Sequence, residues 1–372
     1  MVCGKRYDTV VAGYTCLDLT PEFSESESLS IQELFKPGRL TELEGISFIP
    51  GGVVPNTGMA MKRFNKKVFL NGLVGDDFIG ATLIKWLGQY GLSEGIQITE
   101  EESSAFSIVI APPGHDRSFL ESIGCNKVFG TDHINYEAVA NCKIFHFGYP
   151  PLLKQFYCDE GNKLAGMFSK IENMGVTTSL DFSLPDPNSE SGRIEWSKVL
   201  ERVLPSVDIC TPSLEEALFI LMPDQYVKLQ SAPGSGDLID RVPDSMILEI
   251  GRELVSLGAK IVLIKAAHRG AYLYTGDIVS VNHKLGNILD KGRWNNCELW
   301  CPAYPADQAK IKNATGAGDT AIAAFLTAIL NGNDPDRALQ YATLAGRNNL
   351  YCNNLYEELD SWEKITEELN NR

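Results

Sequence analysis

Asn313-Ala314-Thr315-Gly316-Ala317-Gly318-Asp319-Thr320, followed by the apolar run 321–330, is the stretch that decides how the rest of this chain is interpreted. Two glycines around an alanine allow the backbone to bring several N–H groups together, and such a turn can hold an anion. The run 321–330 predicts a buried helix whose positive dipole end is aimed at that anion. Together they predict a site for phosphate or another anion.

Asp319 stands in the first turn of the predicted helix, beside this anion site. A loop that only binds an anion would favour a cation or a hydroxyl there. A carboxylate is therefore a candidate proton acceptor in a reaction at a phosphate. Acids in the first turn also interact favourably with the helix dipole, so both interpretations stay open at this point.

Composition places the chain among soluble globular proteins. It has 372 residues, 44% of them hydrophobic and 22% charged, and a net charge of −15 that argues against nucleic acid as a partner. The nine cysteines and five histidines are scattered without metal-ligand spacing, so we expect reduced thiols and no histidine metal site. No signal peptide or membrane span is recognised, so we expect a cytoplasmic protein.

The order of apolar segments predicts an α/β fold with a mainly parallel central sheet and helices on both faces. Predicted strands alternate with predicted helices, and a polar loop at 223–245 and an irregular stretch at 282–300 interrupt the pattern. The strands are expected at 7–13, 67–73, 144–148, 176–182, 207–210, 260–265, 271–274 and 278–281. Residues 51–56 are expected to open a helix that runs through Phe64, and residues 75–80 to lead into a helix that ends at Gly91. Further helices are expected near 160–173 and 194–203, at 213–221 and 246–257, and near 335–346 and 359–369.

Two further segments predict a small β-rich element. The polar stretch 20–49 is too long for a simple connection, and the runs 105–111 and 117–122 flank a Pro-Pro-Gly turn typical of a hairpin. We therefore predict one α/β domain over 1–372, with lid elements at about 14–50 and 105–122.

Two common nucleotide motifs were tested against the sequence. No G-x-x-x-x-G-K-[ST] is present, which excludes a P-loop. Gly316-x-Gly318-x-x-Ala321 matches the dinucleotide pattern G-x-G-x-x-A, and Asp336 lies about 20 residues on. That pattern requires its acid at the end of a strand, whereas 333–350 predicts a helix, so a dinucleotide-binding oxidoreductase is disfavoured.

The chain resembles the ribokinase-like (PfkB) carbohydrate kinases, a family that includes ribokinase, fructokinases and adenosine kinase. Residues 315–319 match the second half of its C-terminal signature, Asp-Thr-x-Gly-Ala-Gly-Asp. Gly51-Gly52-x-x-x-Asn56, with Gly72-Leu73-Val74-Gly75-x-Asp77-x-x-Gly80, is similar to its N-terminal glycine signature. The resemblance covers nearly the whole chain in the family's order.

The resemblance implies a catalytic loop at 316–319. Asp319 matches the base that takes the proton from a sugar hydroxyl, and Gly316, Ala317 and Gly318 match the anion hole for the γ-phosphate of ATP. This agrees with phosphoryl transfer, which asks mainly for positioning and charge stabilisation.

The resemblance also implies a sugar site. Asp18, Gly51, Gly52 and Asn56 match positions that hold the sugar. A carboxylate and an amide suit a vicinal diol. From the residues alone, turn and helix-cap roles stay open for them.

For the nucleotide, the resemblance implies Lys265, Gly270 and Thr315, with Glu216 organising Mg²⁺ through water and a monovalent-cation site near the glycine loop. By itself, the pair Ser213 and Glu216 is a helix capping box.

Several positions depart from the family pattern. Asn313 and Ala314 replace the Asp-Thr of the C-terminal signature, which weakens the expected support for the loop and the monovalent-cation site. Ser213 replaces the usual asparagine of the Mg²⁺ motif. The segments 282–300 and 347–349 are polar where the family packs around adenine, so the nucleotide preference stays open.

Three functions are compatible with these residues. The first is an ATP- and Mg²⁺-dependent sugar kinase. The second is a nucleoside kinase, for which Phe106, Phe119 and Tyr149 would form an aromatic slot. The third is a non-catalytic sugar- or nucleotide-binding regulator, suggested by Ala314 and Ser213 but disfavoured by the retained Asp319. The resemblance further implies a homodimer through the lid.

Overall fold

The computed structural model describes residues 5–24, 34–112, 118–232, 236–280, 285, 288–312 and 314–372. Asn313 and the expected hairpin turn at 113–116 lie outside these residues. The strands of the described part are β1 (Tyr7–Gly13), β2 (Cys16–Glu22), β3 (Gly45–Gly51), β4 (Val68–Gly75), β5 (Ile96–Thr99), β6 (Phe106–Ile110), β7 (Ser118–Ser122), β8 (Cys142–Gly148), β9 (Thr177–Leu180), β10 (Ile209–Cys210), β11 (Ile261–Lys265), β12 (Ala271–Thr275) and β13 (Glu298–Cys301).

The helices connect these strands and close the C-terminal part of the chain. They are α1 (Val53–Arg63), α2 (Phe78–Gln89), α3 (Tyr136–Ala140), α4 (Lys154–Tyr157), α5 (Asn162–Asn173), α6 (Trp196–Val203), α7 (Leu214–Leu221), α8 (Pro223–Gln230), α9 (Asp244–Ser256), α10 (Ala317–Leu330), α11 (Pro335–Asn349), α12 (Leu355–Glu358) and α13 (Trp362–Asn370).

A nine-stranded sheet forms the centre of the protein, in the order β13-β12-β11-β10-β9-β8-β1-β4-β5. Neighbours from β11 to β5 run parallel, whereas β12 and β13 are antiparallel additions at one edge. Parallel strands covered by helices must be apolar on both sides, as the buried run Ile261–Ile264 illustrates. The predicted α/β fold, with helices on both faces, is confirmed.

A second sheet of four strands, in the order β3-β2-β6-β7, forms the predicted small β element. β2 and β3 pair antiparallel, β2 and β6 parallel, and β6 and β7 antiparallel. Its strands come from the two segments expected to form the lid. We call it the lid sheet below.

Three local predictions were wrong. The segment 223–245 is not a continuous loop, since α8 begins at its Pro223, a residue well suited to a first helical turn. No strand forms among the described residues of 278–281. The third error is a strand that was not predicted: β13 forms at the end of the expected irregular stretch. Because its residues are alternately exposed at the edge of the sheet, the hydrophobic pattern of a strand is weak there.

The eight cysteines among the described residues are free thiols. None of the helices formed by the described residues is both long and apolar enough to cross a membrane.

Candidate active site

Polar side chains gather at the carboxyl ends of four neighbouring parallel strands. Tyr149 follows β8, Asp181 follows β9, Thr211 follows β10 and Lys265 ends β11. Ligands of open α/β sheets bind at this edge. The strand order therefore places the candidate chemistry where the fold favours a site.

The glycine turn leads into α10 as predicted. Gly316 caps the helix with a φ of 74°, a left-handed conformation that glycine adopts without steric cost. The N–H of Ala317 donates to the Ala314 carbonyl at 3.2 Å. The N–H groups of Gly318 and Asp319 are the remaining amides of the first turn, for which an α-helix supplies no acceptor of its own. Buried side chains occupy most of α10, which fixes its positive end in the site.

Asp319 is buried, with only 3% of its surface exposed, and three side chains donate hydrogen bonds to its carboxylate. Asn56 Nδ2 donates to Oδ2 at 3.1 Å and Thr57 Oγ1 donates to Oδ1 at 3.2 Å. The Tyr149 hydroxyl lies 3.0 Å from both oxygens. The carboxylate is therefore held in one orientation by groups that favour its charged form.

Burial and these contacts act on Asp319 in opposite directions. Burial raises the pKa of the carboxyl group, and the hydrogen bond from Asn56, the charge of Lys265 and the hydrogen bonds from Tyr149 and Thr57 lower it. The net effect is a pKa above the ordinary value for aspartate. A carboxylate tuned in this way is a better general base than an exposed aspartate.

Lys265 supplies a positive charge next to the glycine turn. Its Nζ donates to Asp181 Oδ1 at 2.7 Å, and both side chains are largely buried. A Cβ on Gly318 would lie 3.8 Å from Nζ. Burial by itself lowers the pKa of Lys265, but the charges of Asp181 and Glu216 and the Asp181 hydrogen bond raise it above the ordinary value. Lys265 therefore places a positive charge beside the start of α10.

Glu216 performs the capping role that its sequence predicts. Its Oε2 accepts a hydrogen bond from the Ser213 N–H at 2.7 Å, and the Ser213 hydroxyl accepts one from the Glu216 N–H at 3.2 Å. The charge of Glu216 also acts on Asp181 and Lys265. Glu216 is therefore both a helix cap and a carboxylate of this site.

Asn349 braces the glycine turn from α11. Its Nδ2 donates to the Thr315 carbonyl at 2.8 Å, and its Oδ1 accepts from the Thr320 hydroxyl at 2.9 Å. One side chain thus ties the residue before the turn to the first turn of α10. Part of the unusual polarity at 347–349 has a structural reason here: Asn349 supports the loop whose Asp-Thr flank is absent from the sequence, whereas Arg347 and Asn348 contact Glu368 of α13.

The expected sugar residues lie where α1 meets the lid sheet. A Cβ on Gly51 would come within 2.4 Å of the Asp18 carboxylate, so glycine leaves the space that this carboxylate uses. Gly52 precedes α1 as its N-cap. The Tyr14 hydroxyl donates to Glu121 Oε1 at 2.6 Å, which links the end of β1 to the lid strand β7.

The expected site residues lie on several elements. Asn56, Lys265 and the loop 316–319 surround one position. Gly270 closes the β11–β12 turn next to Lys265, where its carbonyl accepts a hydrogen bond from the Ala266 N–H at 2.8 Å. Sequence reasoning missed Thr57 and Asp181 and assigned Tyr149 to packing or to an aromatic slot. Asp181 had one usable signal, since it lies near the carboxyl end of the predicted parallel strand 176–182.

The chain is similar to known sugar kinases in sequence and in fold. A probable fructokinase-5 from Arabidopsis thaliana is 23% identical over 295 residues, which cover 78% of this chain and 76% of the relative. Arabidopsis thaliana ribokinase complexed with ribose and ATP superposes with a TM-score of 0.68 at 19% identity, covering 97% of this chain and 98% of that chain. A putative ribokinase II from E. coli in complex with ATP and Mg²⁺ gives a TM-score of 0.68 at 20% identity, covering 98% and 100%. These structures establish the shared fold.

A family model also matches nearly the whole chain. Residues 10–359 match the model of the pfkB family carbohydrate kinases. The matched range includes the lid sheet and the glycine turn. The chain belongs to the pfkB family of carbohydrate kinases, which are phosphotransferases that act on sugar hydroxyls.

Proposed function

We propose that this protein transfers the γ-phosphate of ATP to a hydroxyl group of an uncharged sugar, with Asp319 as the general base. The observation that supports this most is the buried Asp319 carboxylate at the N-terminus of α10, held by donors from α1 and by Tyr149. Lys265 and the amides of the same helix turn lie next to it. A proton acceptor and groups that stabilise phosphate charge are thus adjacent.

In the proposed step, the sugar oxygen bonds to the γ-phosphorus while the bond from that phosphorus to the bridging oxygen of ADP breaks. The proton of the sugar hydroxyl passes to Asp319. The first-turn amides of Gly318 and Asp319, together with Lys265, stabilise the charge on the transferring group. Ala317 contributes mainly by shaping the turn, because its N–H is bonded to Ala314.

The residues also fit Mg²⁺ bound chiefly by the nucleotide. Asp181 and Glu216 supply carboxylate oxygens beside Lys265. In the described part of the chain, no group of three or more His, Cys, Asp or Glu side chains is arranged to hold a metal ion. Mg²⁺ commonly uses one or two carboxylates, water and substrate phosphates, and it neutralises phosphate charge when bound. The expected monovalent-cation site adjoins Asn313, outside the described residues, and stays a prediction.

The lid sheet supports an uncharged sugar. Asp18, Ser107 and Glu121 are paired across β2, β6 and β7, so their side chains share one face. The four strands of this sheet contain no lysine or arginine. A sugar acid or sugar phosphate would meet two carboxylates without a cation from this sheet, whereas the hydroxyls of a fructose-like sugar would find acceptors.

The geometry disfavours the nucleoside-kinase alternative. Phe106 pairs with Ser122, whereas Phe119 pairs with Val109 three residues along β6. The two rings therefore point to opposite faces of the lid sheet and do not form one slot. The regulator alternative is disfavoured by the oriented Asp319, since a protein that only binds a sugar needs no buried base.

A coupled ADP-release assay on matched sugar pairs tests the proposed function. Glucose with glucuronate, ribose with ribose 5-phosphate, and fructose with fructose 6-phosphate each differ mainly at the terminal hydroxymethyl group, which is neutral in the first sugar and replaced by a negatively charged group in the second. We expect kcat/KM for an accepted neutral sugar to exceed that of its charged partner by more than about 100-fold, because like charges in a site cost several kcal/mol. Faster turnover of the charged partners would overturn the substrate class. Tight sugar binding without turnover of any sugar or nucleoside would favour the regulator.

We also propose a homodimer through the outer face of the lid sheet. Phe48, Leu19, Ile108 and Leu120 form a cross-strand row on the face opposite Asp18, and Phe48 and Leu120 are 42% and 52% exposed. A contiguous exposed apolar face commonly marks an interface, and the lid dimers of the family make a second copy the natural partner.

Leu120→Glu is expected to convert the dimer to a monomer in size-exclusion chromatography with light scattering. The reason is that a charge buried in an apolar interface has no partner. Leu40→Glu is the control, because Leu40 is 88% exposed and lies outside the lid sheet. A wild-type protein that is monomeric at all concentrations would refute this interface.

A further inference from the structure

Tyr149 occupies an unusual place for an aromatic residue. It follows β8 directly and has a φ of 64°, in the left-handed region that residues other than glycine seldom adopt. Pro150 and Pro151 come next, and the Tyr149 carbonyl accepts a hydrogen bond from the Leu152 N–H at 2.9 Å. This conformation turns the side chain back over the edge of the sheet, toward Asp319.

The Tyr149 hydroxyl completes the hydrogen bonding of the Asp319 carboxylate. Asn56 donates to one oxygen and Thr57 to the other, whereas Tyr149 lies 3.0 Å from both. Three donors fill most of the about four lone-pair sites of a carboxylate, and the Tyr149 hydroxyl occupies the position that faces both oxygens. An acceptor hydroxyl that takes this position must therefore displace the group that holds it before it can transfer a proton to Asp319.

Tyr149 is the group best suited to be displaced. Asn56 and Thr57 are buried within α1, where their positions are fixed by the packing of the helix. Tyr149 lies in an irregular segment and is only partly buried. Its O–H also has the chemistry of the substrate, a hydroxyl group that donates to the base.

We propose that Tyr149 is a displaceable cap on the catalytic base: its hydroxyl occupies the place of the acceptor hydroxyl until a sugar replaces it, and so keeps water off Asp319. This proposal rests on the proposed function of Asp319. The purpose of the cap is to limit ATP hydrolysis. In that side reaction, the oxygen of water would bond to the γ-phosphorus, the bond to the bridging oxygen of ADP would break, and the proton of water would pass to Asp319.

Two contacts connect Tyr149 to the lid sheet. The ring of Tyr14 lies 6.2 Å from the ring of Tyr149, centroid to centroid. The Tyr14 hydroxyl donates to Glu121 of β7, in the same cross-strand row as Asp18. A sugar that binds these carboxylates would disturb Tyr14 and, through it, Tyr149. Release of the cap is thereby linked to the arrival of the sugar.

Phosphate release from ATP without sugar tests the cap directly. Tyr149→Phe removes the hydroxyl and keeps the ring, and we expect it to raise the sugar-independent rate by roughly tenfold or more, within the range that general-base assistance to water supplies. The increase should vanish in the double variant Tyr149→Phe/Asp319→Asn. Tyr157→Phe is the matched control, because this buried tyrosine packs against Trp196 on α4 and α6, away from the site.

The pH dependence of sugar phosphorylation gives a second measurement. The Tyr149 hydrogen bond lowers the pKa of Asp319, so its removal raises that pKa. Since the base acts only when deprotonated, we expect the acid limb of kcat/KM to move to higher pH in Tyr149→Phe, as a change in folding alone would not do. A thermal melt shows whether the variant remains folded.

The outcomes separate the cap from the proposed function. If Tyr149→Phe hydrolyses ATP without sugar no faster than wild type, while Asp319→Asn has lost sugar phosphorylation, the cap is refuted and the base assignment stands. If Asp319→Asn phosphorylates sugar at the wild-type rate, the base assignment fails and the cap fails with it.

Discussion

Asp319→Asn is expected to lower kcat for sugar phosphorylation by about 10² to 10⁴-fold, the range that a general base contributes. Asparagine has nearly the same shape but cannot accept the proton of the sugar hydroxyl. ATP binding, measured by titration without sugar, should change little, because the proposed nucleotide contacts are the helix amides and Lys265. The expected loss therefore lies in kcat and not in ATP affinity.

A matched variant addresses the simpler interpretation of Asp319 as a first-turn acid. Asp336 occupies the first turn of α11 and is exposed. If Asp319 only interacted with the helix dipole, both Asp319→Asn and Asp336→Asn would cost about 0.3–1 kcal/mol of stability and leave the rate unchanged. A wild-type rate in Asp319→Asn would remove this residue from the mechanism. We expect a small loss of stability with an unchanged rate only for Asp336→Asn.

The sequence was a good guide to the elements and to their order. Apolar runs such as Ile261–Ile264 and the glycine turn before α10 are local signals, in which neighbouring residues determine the backbone directly. The edge strand β13 was missed because one face of it is exposed and its hydrophobic period is weak. The propensities of its residues do not predict this strand, because pairing with β12 is what stabilises it.

The site was predictable in part. The contacts that were not predicted join residues that lie far apart in the sequence. Gly316 and Asp319 belong to one short motif, but Tyr149 reaches Asp319 across 170 positions of sequence. Asn349 braces Thr315 across 34 positions. Nothing in the local sequence around Tyr149 or Asn349 indicates these partners, because strand order and helix packing create them. Residues that orient a catalytic group are therefore harder to predict than the group itself.

The buried pair of Lys265 and Asp181 offers a second large effect. Lys265 Nζ lies 2.7 Å from Asp181 Oδ1, and the side chains of Lys265 and Asp181 are only 14% and 2% exposed. Lys265→Met leaves Asp181 without its cation, which we expect to cost about 3–5 kcal/mol in the free energy of unfolding. The variant should also lose about 10²–10³-fold in kcat/KM for ATP, because a charge aimed at the transferring phosphate is lost.

A double variant separates the structural contribution of the pair from its chemistry. Lys265→Met/Asp181→Asn removes both charges, so most of the lost stability should return in urea denaturation, whereas kcat/KM for ATP should stay well below that of Asp181→Asn, the reference variant that lacks only the proposed Mg²⁺ carboxylate. Lys143→Met is the control, since Lys143 and Asp8 are 2.8 Å apart but 43% and 18% exposed. A pair near the surface contributes about 0–1 kcal/mol. Activity that returns together with stability in the double variant would mean that Lys265 serves only to neutralise Asp181.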